Sequence, residues 1–249
     1  MDYIDKRKAL EILFTSAENY QNNLNERNLL FVHINKRKQV GFIETKFSAS
    51  NFQHLTGVVT DKNIISPSRF YELCLNKKLK ISEFEFRKDG TTELKLRAMP
   101  EIFSKNISGK MLGDFDAFKV KLQTEKLVGG IRAAIGFVKE QGLNQNIKKD
   151  KIVYVPNTLL TADIRDLVTN TVQIIETYSK RTRNEYYTEQ VYRTNSKTVD
   201  WGKVKQNEIY KNLPIIRKPI EKGELIKTQS KRPKIIFHRP ESKSNGHER

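Results

Sequence analysis

The sequence predicts an α+β protein in which helices pack on a four- to six-stranded antiparallel sheet, followed by a basic C-terminal tail. Three observations favour this fold class. Helical apolar spacing and helix-capping residues are concentrated in the first hundred residues. From Lys110 onward, short runs rich in Val, Ile, Phe and Tyr alternate with glycines and polar turns. Helices followed by strands are typical of the α+β class.

The helices are predicted from apolar spacing and from their first residues. Between residues 4 and 26 apolar side chains recur every three or four positions, as one face of an amphipathic helix requires. A second helix is expected after Ser66, which suits the N-cap, with Pro67 at the first helical position. A third is expected from Thr91, although Pro100 should make it kink or begin later.

The strands are predicted from runs of β-branched and aromatic residues. LLFVHIN and QVGFIETKF flank a polar link at residues 36–38, which indicates a hairpin that contains His33. Six more strands are expected, in KMLGDF, FKVKLQTEK, IRAAIGFVK, KIVYVPN, TVQIIETYSK and EYYTEQVYR. In the fifth of these, strand alternation predicts one shared face for Val172, Ile174, Glu176 and Tyr178.

Charge and cysteine content limit the function classes. The net charge of +17 favours a polyanionic partner. No apolar run approaches the ~20 residues of a membrane span, and the amino terminus does not resemble a secretory signal, so a cytoplasmic protein without membrane contact is expected. A single cysteine, Cys74, excludes an internal disulfide and is expected to be a small buried hydrophobe. With no zinc-ligand spacing and no phosphate or dinucleotide loop, we expect neither a metal nor a cofactor.

The composition changes near residue 195 and divides the chain into a domain, residues 1–195, and a tail, residues 196–249. The tail holds 14 Lys and Arg against 6 Asp and Glu, a net charge of +8, together with most of the prolines. We expect it to be mostly disordered. Its short apolar pieces, LPII and PKIIF, could dock on the domain or on a partner.

Two segments contain candidate functional side chains. NFQHLTG places His54 between apolar residues, where an imidazole is either a hydrogen-bonded core residue or a proton-transfer group. QIIETYSKRTR places a tyrosine, a serine and several cations at a strand end, an arrangement that can hold a phosphodiester. In FKVKLQTEK, alternation predicts that Thr124 and Lys126 project on the same side. For each of these residues the local sequence is also compatible with a purely structural or solvent-exposed role.

Several segments together resemble a known nuclease superfamily. NFQHLTG, FYELCLNKKLKISEF, DGTTELKLRAMPEI, KLQTEKLVGGIRAAIGFV, YVPNTLL and IIETYSK occur in the order found in the phage and mobile-element branch of the barnase, EndoU, colicin and RelE-like (BECR) nucleases. The resemblance covers residues 30 to 192. It implies a metal-independent endoribonuclease that removes the proton of a ribose 2′-hydroxyl, so that this oxygen attacks the adjacent phosphorus.

The resemblance also implies roles for particular residues. His54 would be the general acid or base, Lys126 would stabilise the phosphorane, and Thr56 would orient the site or bind phosphate. The implied catalytic set is His54, Lys126, Tyr178, Ser179 and Lys180, and the substrate-binding set is Thr56, Thr124, Arg181 and Arg183. If two imidazoles are needed, Lys126 or Tyr178 must replace the second one, or His33 must fold beside His54.

Three functions follow from these observations. The first is a ribonuclease toxin or mobile-element conflict protein that cleaves RNA, with tRNA as a candidate substrate and an immunity or antitoxin protein as an expected partner. The second is a non-catalytic nucleic-acid-binding accessory protein, which would use the same cations but would have little use for the imidazole of His54. The third is an adaptor that binds an acidic protein through the basic tail.

Overall fold

The structure, a computed structural model, describes residues 4–103, 107, 109–118, 121–140, 152–197 and 199. The α-helices in these ranges are α1 (Lys6–Asn23), α2 (Ala49–Thr56), α3 (Pro67–Leu75), α4 (Thr91–Ile102) and α5 (Ile164–Leu167). The strands are β1 (Arg27–Ile34), β2 (Val40–Phe47), β3 (Met111–Phe115), β4 (Lys126–Gly129), β5 (Ala134–Lys139), β6 (Val153–Leu160), β7 (Val168–Arg181) and β8 (Glu189–Arg193).

The strands form one mixed sheet that closes on itself. Their order is β1-β2-β6-β5-β4-β3-β7-β8, and β1 also pairs with β7, so seven of the eight described strands form a closed barrel. The β2–β6 pair is parallel, whereas the other pairs are antiparallel. The prediction of helices packed on a four- to six-stranded antiparallel sheet is therefore wrong. The alternation of apolar and polar residues identifies strands but does not show which strands pair. Here β2 pairs with a strand about a hundred residues later in the chain.

The first helix confirms the predicted amphipathic stripe. The Asp5 side chain caps α1 by accepting a hydrogen bond from the backbone nitrogen of Lys8 at 2.7 Å. The stripe is buried, and the hydroxyl of Tyr20 donates to the carbonyl oxygen of Ser48 at 2.8 Å. This contact joins α1 to the residue that precedes α2.

The two later helices follow their predicted start signals. Ser66 caps α3, with its hydroxyl accepting from the backbone nitrogen of Arg69 at 3.3 Å, and Pro67 is the first helical residue. Helix α4 begins at Thr91 and includes Pro100 in its last turn. A proline lacks one backbone hydrogen-bond donor, and because the helix ends two residues later the disturbance is confined to the last turn.

Two strand predictions are wrong in detail. In FKVKLQTEK, β4 begins only at Lys126, so Thr124 precedes the strand, and residues 119 and 120 lie outside the described residues. The pairing of β1 with β7 is irregular. Val32 of β1 pairs with Glu176, but the next residue of β1, His33, pairs with Ile174, so Ile175 of β7 has no partner on β1. A bulge of this kind shifts the alternation. Ile174 consequently packs in the main core, whereas Tyr178 packs in a separate cluster around β1, β2 and β7.

The predicted tail lies outside the described residues except for residues 196, 197 and 199. Every described residue belongs to one compact unit, which lies within residues 1–217. Cys74 is buried, as predicted, and burial raises the pKa of its thiol. Over the described part of the chain, no helix is both long and apolar enough to cross a membrane.

Candidate active site

His54 lies on α2, a short helix that the sequence analysis did not predict. Its neighbours Phe52 and Leu55 are fully buried, and the ring centroid of Phe52 lies 5.2 Å from that of Tyr71 on α3. The side-chain nitrogen of Asn51 donates to the carbonyl oxygen of Pro156 at 3.3 Å and so joins α2 to β6. The imidazole of His54 is exposed. The apolar neighbours of His54 therefore belong to the core, while His54 itself is a surface residue.

The glycine that ends NFQHLTG allows Lys95 of α4 to cross the end of α2. Gly57 has a φ of +71°, the left-handed conformation that suits glycine at the end of a helix. A Cβ atom at this position would lie 2.9 Å from Cδ of Lys95. The hydroxyl of Thr92 also donates to the carbonyl oxygen of Gly57 at 2.7 Å. Gly57 is therefore needed for the turn, and a Cβ atom there would displace the side chain of Lys95.

The ammonium group of Lys95 lies between α2 and β6. Its nitrogen is 3.5 Å from the carbonyl oxygen of His54 and 3.2 Å from the hydroxyl oxygen of Thr158. Burial lowers the pKa of Lys95 to about 8, the positive charge of Arg87 adds to the effect, and the negative charge of Asp89 opposes it. Lys95 can therefore gain and lose a proton close to neutral pH.

His54 shares its surroundings with three cations. Although His54 is exposed, partial burial of its imidazole lowers the pKa, and the positive charges of Lys62, Lys95 and Arg87 lower it further. The ordinary pKa of a histidine is about 6.5, so the neutral imidazole predominates at neutral pH. A neutral imidazole with cations nearby can accept a proton, as a general base must.

Thr124 belongs to the same region as His54, although it lies on a different part of the chain. A Cβ atom on Gly136 would lie 2.6 Å from Cγ2 of Thr158 and 2.9 Å from Cγ2 of Thr124, which shows that the two threonines flank one glycine. The hydroxyl of Thr124 donates to the side-chain oxygen of Asn157 at 3.2 Å. We call His54, Lys62, Arg87, Lys95, Thr124 and Thr158 the His54 cluster.

The sequence analysis missed four members of the His54 cluster: Lys62, Arg87, Lys95 and Thr158. A usable signal existed for Lys95, because it lies three residues after Thr92 and four before Met99, both of which are buried. Helical spacing therefore places this lysine beside the buried face of α4. No comparable local signal distinguished Thr158, since its position depends on the pairing of β5 with β6.

Lys126 lies in a second group of polar residues. Its ammonium group forms an ion pair with the carboxylate of Asp114, the residue opposite it on β3. Burial lowers the pKa of His33 to about 4, and the charge of Lys126 contributes to the shift while that of Asp114 opposes it. Lys126 is not among the groups that shift the pKa of His54. The structure thus associates Lys126 with His33.

The imidazole of His33 packs closely against β2. A Cβ atom on Gly41 would lie 2.4 Å from Cε1 and 2.6 Å from Nε2 of His33, so only glycine leaves room for the ring. Nδ1 of His33 is buried and forms no hydrogen bond within the described residues. Protonation of this ring is unfavourable because the added charge would be poorly solvated.

We expect His33 to make the protein less stable in acid. Its pKa is about 4 in the folded chain and about 6.5 when unfolded, so the unfolded chain binds more protons between these values. The free energy of unfolding should fall by up to about 3 kcal/mol as the pH decreases through this window. Urea unfolding of the wild type and of His33→Gln at pH 4 to 7 tests this. Equal pH dependence in the two proteins would contradict the assignment.

Tyr178, Ser179 and Lys180 are buried, with 5%, 1% and 5% of their surfaces exposed. The Tyr178 hydroxyl donates to Glu176 at 2.6 Å, and the Ser179 hydroxyl accepts from Arg27 at 3.1 Å. The Lys180 ammonium donates to the carbonyl oxygen of Glu185 at 3.2 Å. All three side chains are engaged inside the protein.

The remaining predicted substrate-binding residues lie in different settings. Thr56 is buried, and its hydroxyl donates to the carbonyl oxygen of Gln53 at 2.8 Å and accepts from the backbone nitrogen of Val58 at 3.0 Å. It thereby satisfies backbone groups at the end of α2. Arg181 and Arg183 are exposed at the end of β7 and in the turn after it.

A family comparison agrees with the resemblance noted in the sequence. The sequence profile of the family described as phage-Barnase-EndoU-ColicinE5/D-RelE like nuclease4 matches residues 12–196. No curated protein and no solved structure matches the chain. In the described ranges, no group of three or more His, Cys, Asp or Glu side chains is arranged to hold a metal ion. The profile covers about three quarters of the 249 residues and includes the whole His54 cluster, so the chain belongs to this family of phage-type BECR nucleases.

Proposed function

We propose that the protein is a metal-independent endoribonuclease whose reaction takes place at the His54 cluster. The observation that supports this most directly is the position of the half-buried Lys95, whose ammonium nitrogen lies 3.5 Å from the carbonyl oxygen of the exposed His54 and whose charge lowers the pKa of the imidazole. The two groups titrate on either side of neutral pH, as a base and an acid that act together should. The hydroxyl of Thr158, which accepts from Lys95, lies in the same region and can donate a hydrogen bond to a phosphate.

In the proposed reaction, neutral His54 removes the proton of a ribose 2′-hydroxyl. The 2′-oxygen forms a bond to the adjacent phosphorus, the bond from phosphorus to the 5′-oxygen breaks, and a 2′,3′-cyclic phosphate results. Protonated Lys95 stabilises the negative charge that develops on the phosphorane and supplies the proton for the departing 5′-oxygen. Proton gain at His54 and proton loss at Lys95 balance within each turnover.

We further propose that the protein acts on RNA in the cytoplasm, with tRNA as a candidate substrate, as a toxin or in conflict between mobile elements. Family membership and the net charge of +17 support this role. An unrestrained ribonuclease would harm the cell that makes it, so an immunity or antitoxin protein is an expected partner. The basic residues 196–249 would add backbone affinity that does not depend on sequence.

Cleavage of a matched pair of oligonucleotides tests the chemistry. We expect the purified protein to cut an RNA oligomer in the presence of EDTA and to leave a 2′,3′-cyclic phosphate and a 5′-hydroxyl. A single 2′-deoxy substitution at the cleaved position should block the cut, because it removes the attacking oxygen. Loss of cleavage on chelation would refute the metal-independent mechanism, and cleavage of the deoxy substrate would refute the 2′-hydroxyl mechanism.

A further inference from the structure

Two loops beside His54 each present an exposed cation. In one loop, the backbone nitrogens of Ile64 and Ile65 donate to the carbonyl oxygen of Asp61 at 3.1 and 2.8 Å, which forms the turn that contains Lys62. In the other, the backbone nitrogen of Arg87 donates to the hydroxyl of Thr92 at 2.9 Å. Both loops are therefore held by their own hydrogen bonds.

The two loops are also joined to each other. Val59 and Glu85 form an isolated antiparallel bridge, with backbone hydrogen bonds of 3.0 and 2.8 Å. In addition, the side-chain nitrogen of Gln53 on α2 donates to the hydroxyl of Thr60 at 2.8 Å, which connects the first loop to the helix of His54. Lys62 and Arg87 thus have a defined position relative to the imidazole.

The acidic residues of these loops have other partners. Glu85 forms an ion pair with Lys6 at 2.7 Å. Asp89 accepts hydrogen bonds from the backbone nitrogen and the hydroxyl of Thr91 at 3.0 and 2.7 Å, and Asp61 accepts one from the backbone nitrogen of Asn63 at 2.9 Å. Each of these carboxylates thus has a hydrogen-bond or ion-pair partner other than Lys62 and Arg87, although the charge of Asp89 also attracts that of Arg87.

Lys62 and Arg87 are loop cations whose charges act on His54. Within the described part of the chain neither of them forms an ion pair, and Lys88 beside Arg87 also forms none. By contrast, Arg69 pairs with Glu72 at 3.0 Å and Lys77 pairs with Glu18 at 2.9 Å. Like charges that are held close together repel one another. A group of cations held in this way attracts an anion and lowers its own electrostatic energy when the anion binds.

We propose that Lys62 and Arg87 form a subsite for a phosphate next to the one that is cleaved, so that the preferred substrate is a polynucleotide extending beyond the reacting link. This inference rests on the proposed function, since it takes the reacting phosphate to lie at His54 and Lys95. The loops that contain Lys62 and Arg87 then provide a second position for an anion, apart from the one at Lys95. A dinucleotide has only one phosphate and cannot occupy both.

The test compares the wild type with the double variant Lys62→Ala/Arg87→Ala on a ribodinucleotide and on an RNA hexamer. We expect the ratio of kcat/KM for the hexamer to that for the dinucleotide to fall at least about tenfold, mainly through KM. The slope of log affinity against log salt should fall by about 1.4, because each contact to a single strand accounts for about 0.7. The pH at which activity rises should increase, because two charges that lower the pKa of His54 are gone.

The double variant Arg69→Ala/Lys77→Ala is the matched control, because it removes the same two charges from ion-paired positions. It should leave the substrate ratio unchanged. An equal fall of the ratio in this control, or an unchanged ratio in the Lys62/Arg87 variant, would overturn the subsite.

If the wild type cleaves neither substrate, the proposed function has failed, but the subsite remains testable by binding. The probe is then a fluorescent 2′-O-methyl RNA hexamer, which cannot undergo 2′-hydroxyl attack. Lys62→Ala/Arg87→Ala should weaken its binding at least about tenfold relative to the control variant. Equal affinities of the two double variants would overturn the subsite by this route.

Discussion

His54→Ala should lower kcat/KM for RNA cleavage by about 10² to 10⁴-fold while the protein still folds. General base catalysis by a positioned side chain contributes about 10² to 10⁴ in rate, and His54 is the one imidazole of the His54 cluster. Its side chain is exposed, and α2 is held by the buried side chains of Phe52 and Leu55. Removing the imidazole should therefore cost no more than about 1 kcal/mol of unfolding free energy.

Two companion variants make this result interpretable. Ser50→Ala changes another exposed position on α2 and should retain full activity. His54→Gln keeps a polar side chain of similar length but cannot exchange a proton near neutral pH, so it should be as inactive as His54→Ala. Activity is measured on an RNA oligomer and stability by urea unfolding. Parallel loss of stability and activity in His54→Ala would show a structural residue, and undiminished cleavage would place the reaction elsewhere.

The local features of the fold could be read from the sequence because they depend on nearby residues. Ser66 and Pro67 predicted the start of α3, and the two runs around residues 36–38 predicted the hairpin of β1 and β2. In each case the signal and the structure that it specifies lie within about ten residues. Capping, turn formation and apolar spacing all act over that range.

The closed sheet could not be predicted because it depends on pairings between distant segments. β1 lies between β2, the next strand in the chain, and β7, more than a hundred residues later. Apolar alternation is the same whichever neighbour a strand has, so it does not specify this order. The extra residue Ile175 has the same cause, since a bulge exists only relative to a partner strand.

The candidate site shows the same division between local and distant information. His54 could be singled out from NFQHLTG alone, because an isolated imidazole is rare in this chain. Helical spacing was a usable signal for Lys95, but its contact with Thr158 at 3.2 Å could not be predicted, since 63 residues separate the two. The family resemblance implied Lys126 as the catalytic partner of His54, but the ammonium group that lies 3.5 Å from the carbonyl oxygen of His54 belongs to Lys95 of α4. The sequence therefore predicted that a cation would lie near His54, but not which residue supplies it.

Lys95 should determine the alkaline limit of the reaction, with activity falling as the pH rises through about 8. Burial lowers its pKa to about 8, so the ammonium form that stabilises the phosphorane is lost above this pH. The acid limit should lie below 6.5, because the pKa of His54 is lowered and activity is lost only when the imidazole becomes protonated. The expected profile of kcat/KM is therefore a bell with its maximum between these two limits.

Lys95→Ala should lower kcat/KM by about 10² to 10³-fold, the usual cost of removing a group that stabilises transition-state charge. Lys95→Arg should recover part of the activity and should not lose it near pH 8, because a guanidinium stays protonated above pH 12. The recovery should be incomplete, since arginine cannot release the proton that the departing 5′-oxygen needs. An alkaline limit that stays near pH 8 in Lys95→Arg would assign it to another group and remove Lys95 from the proposed mechanism.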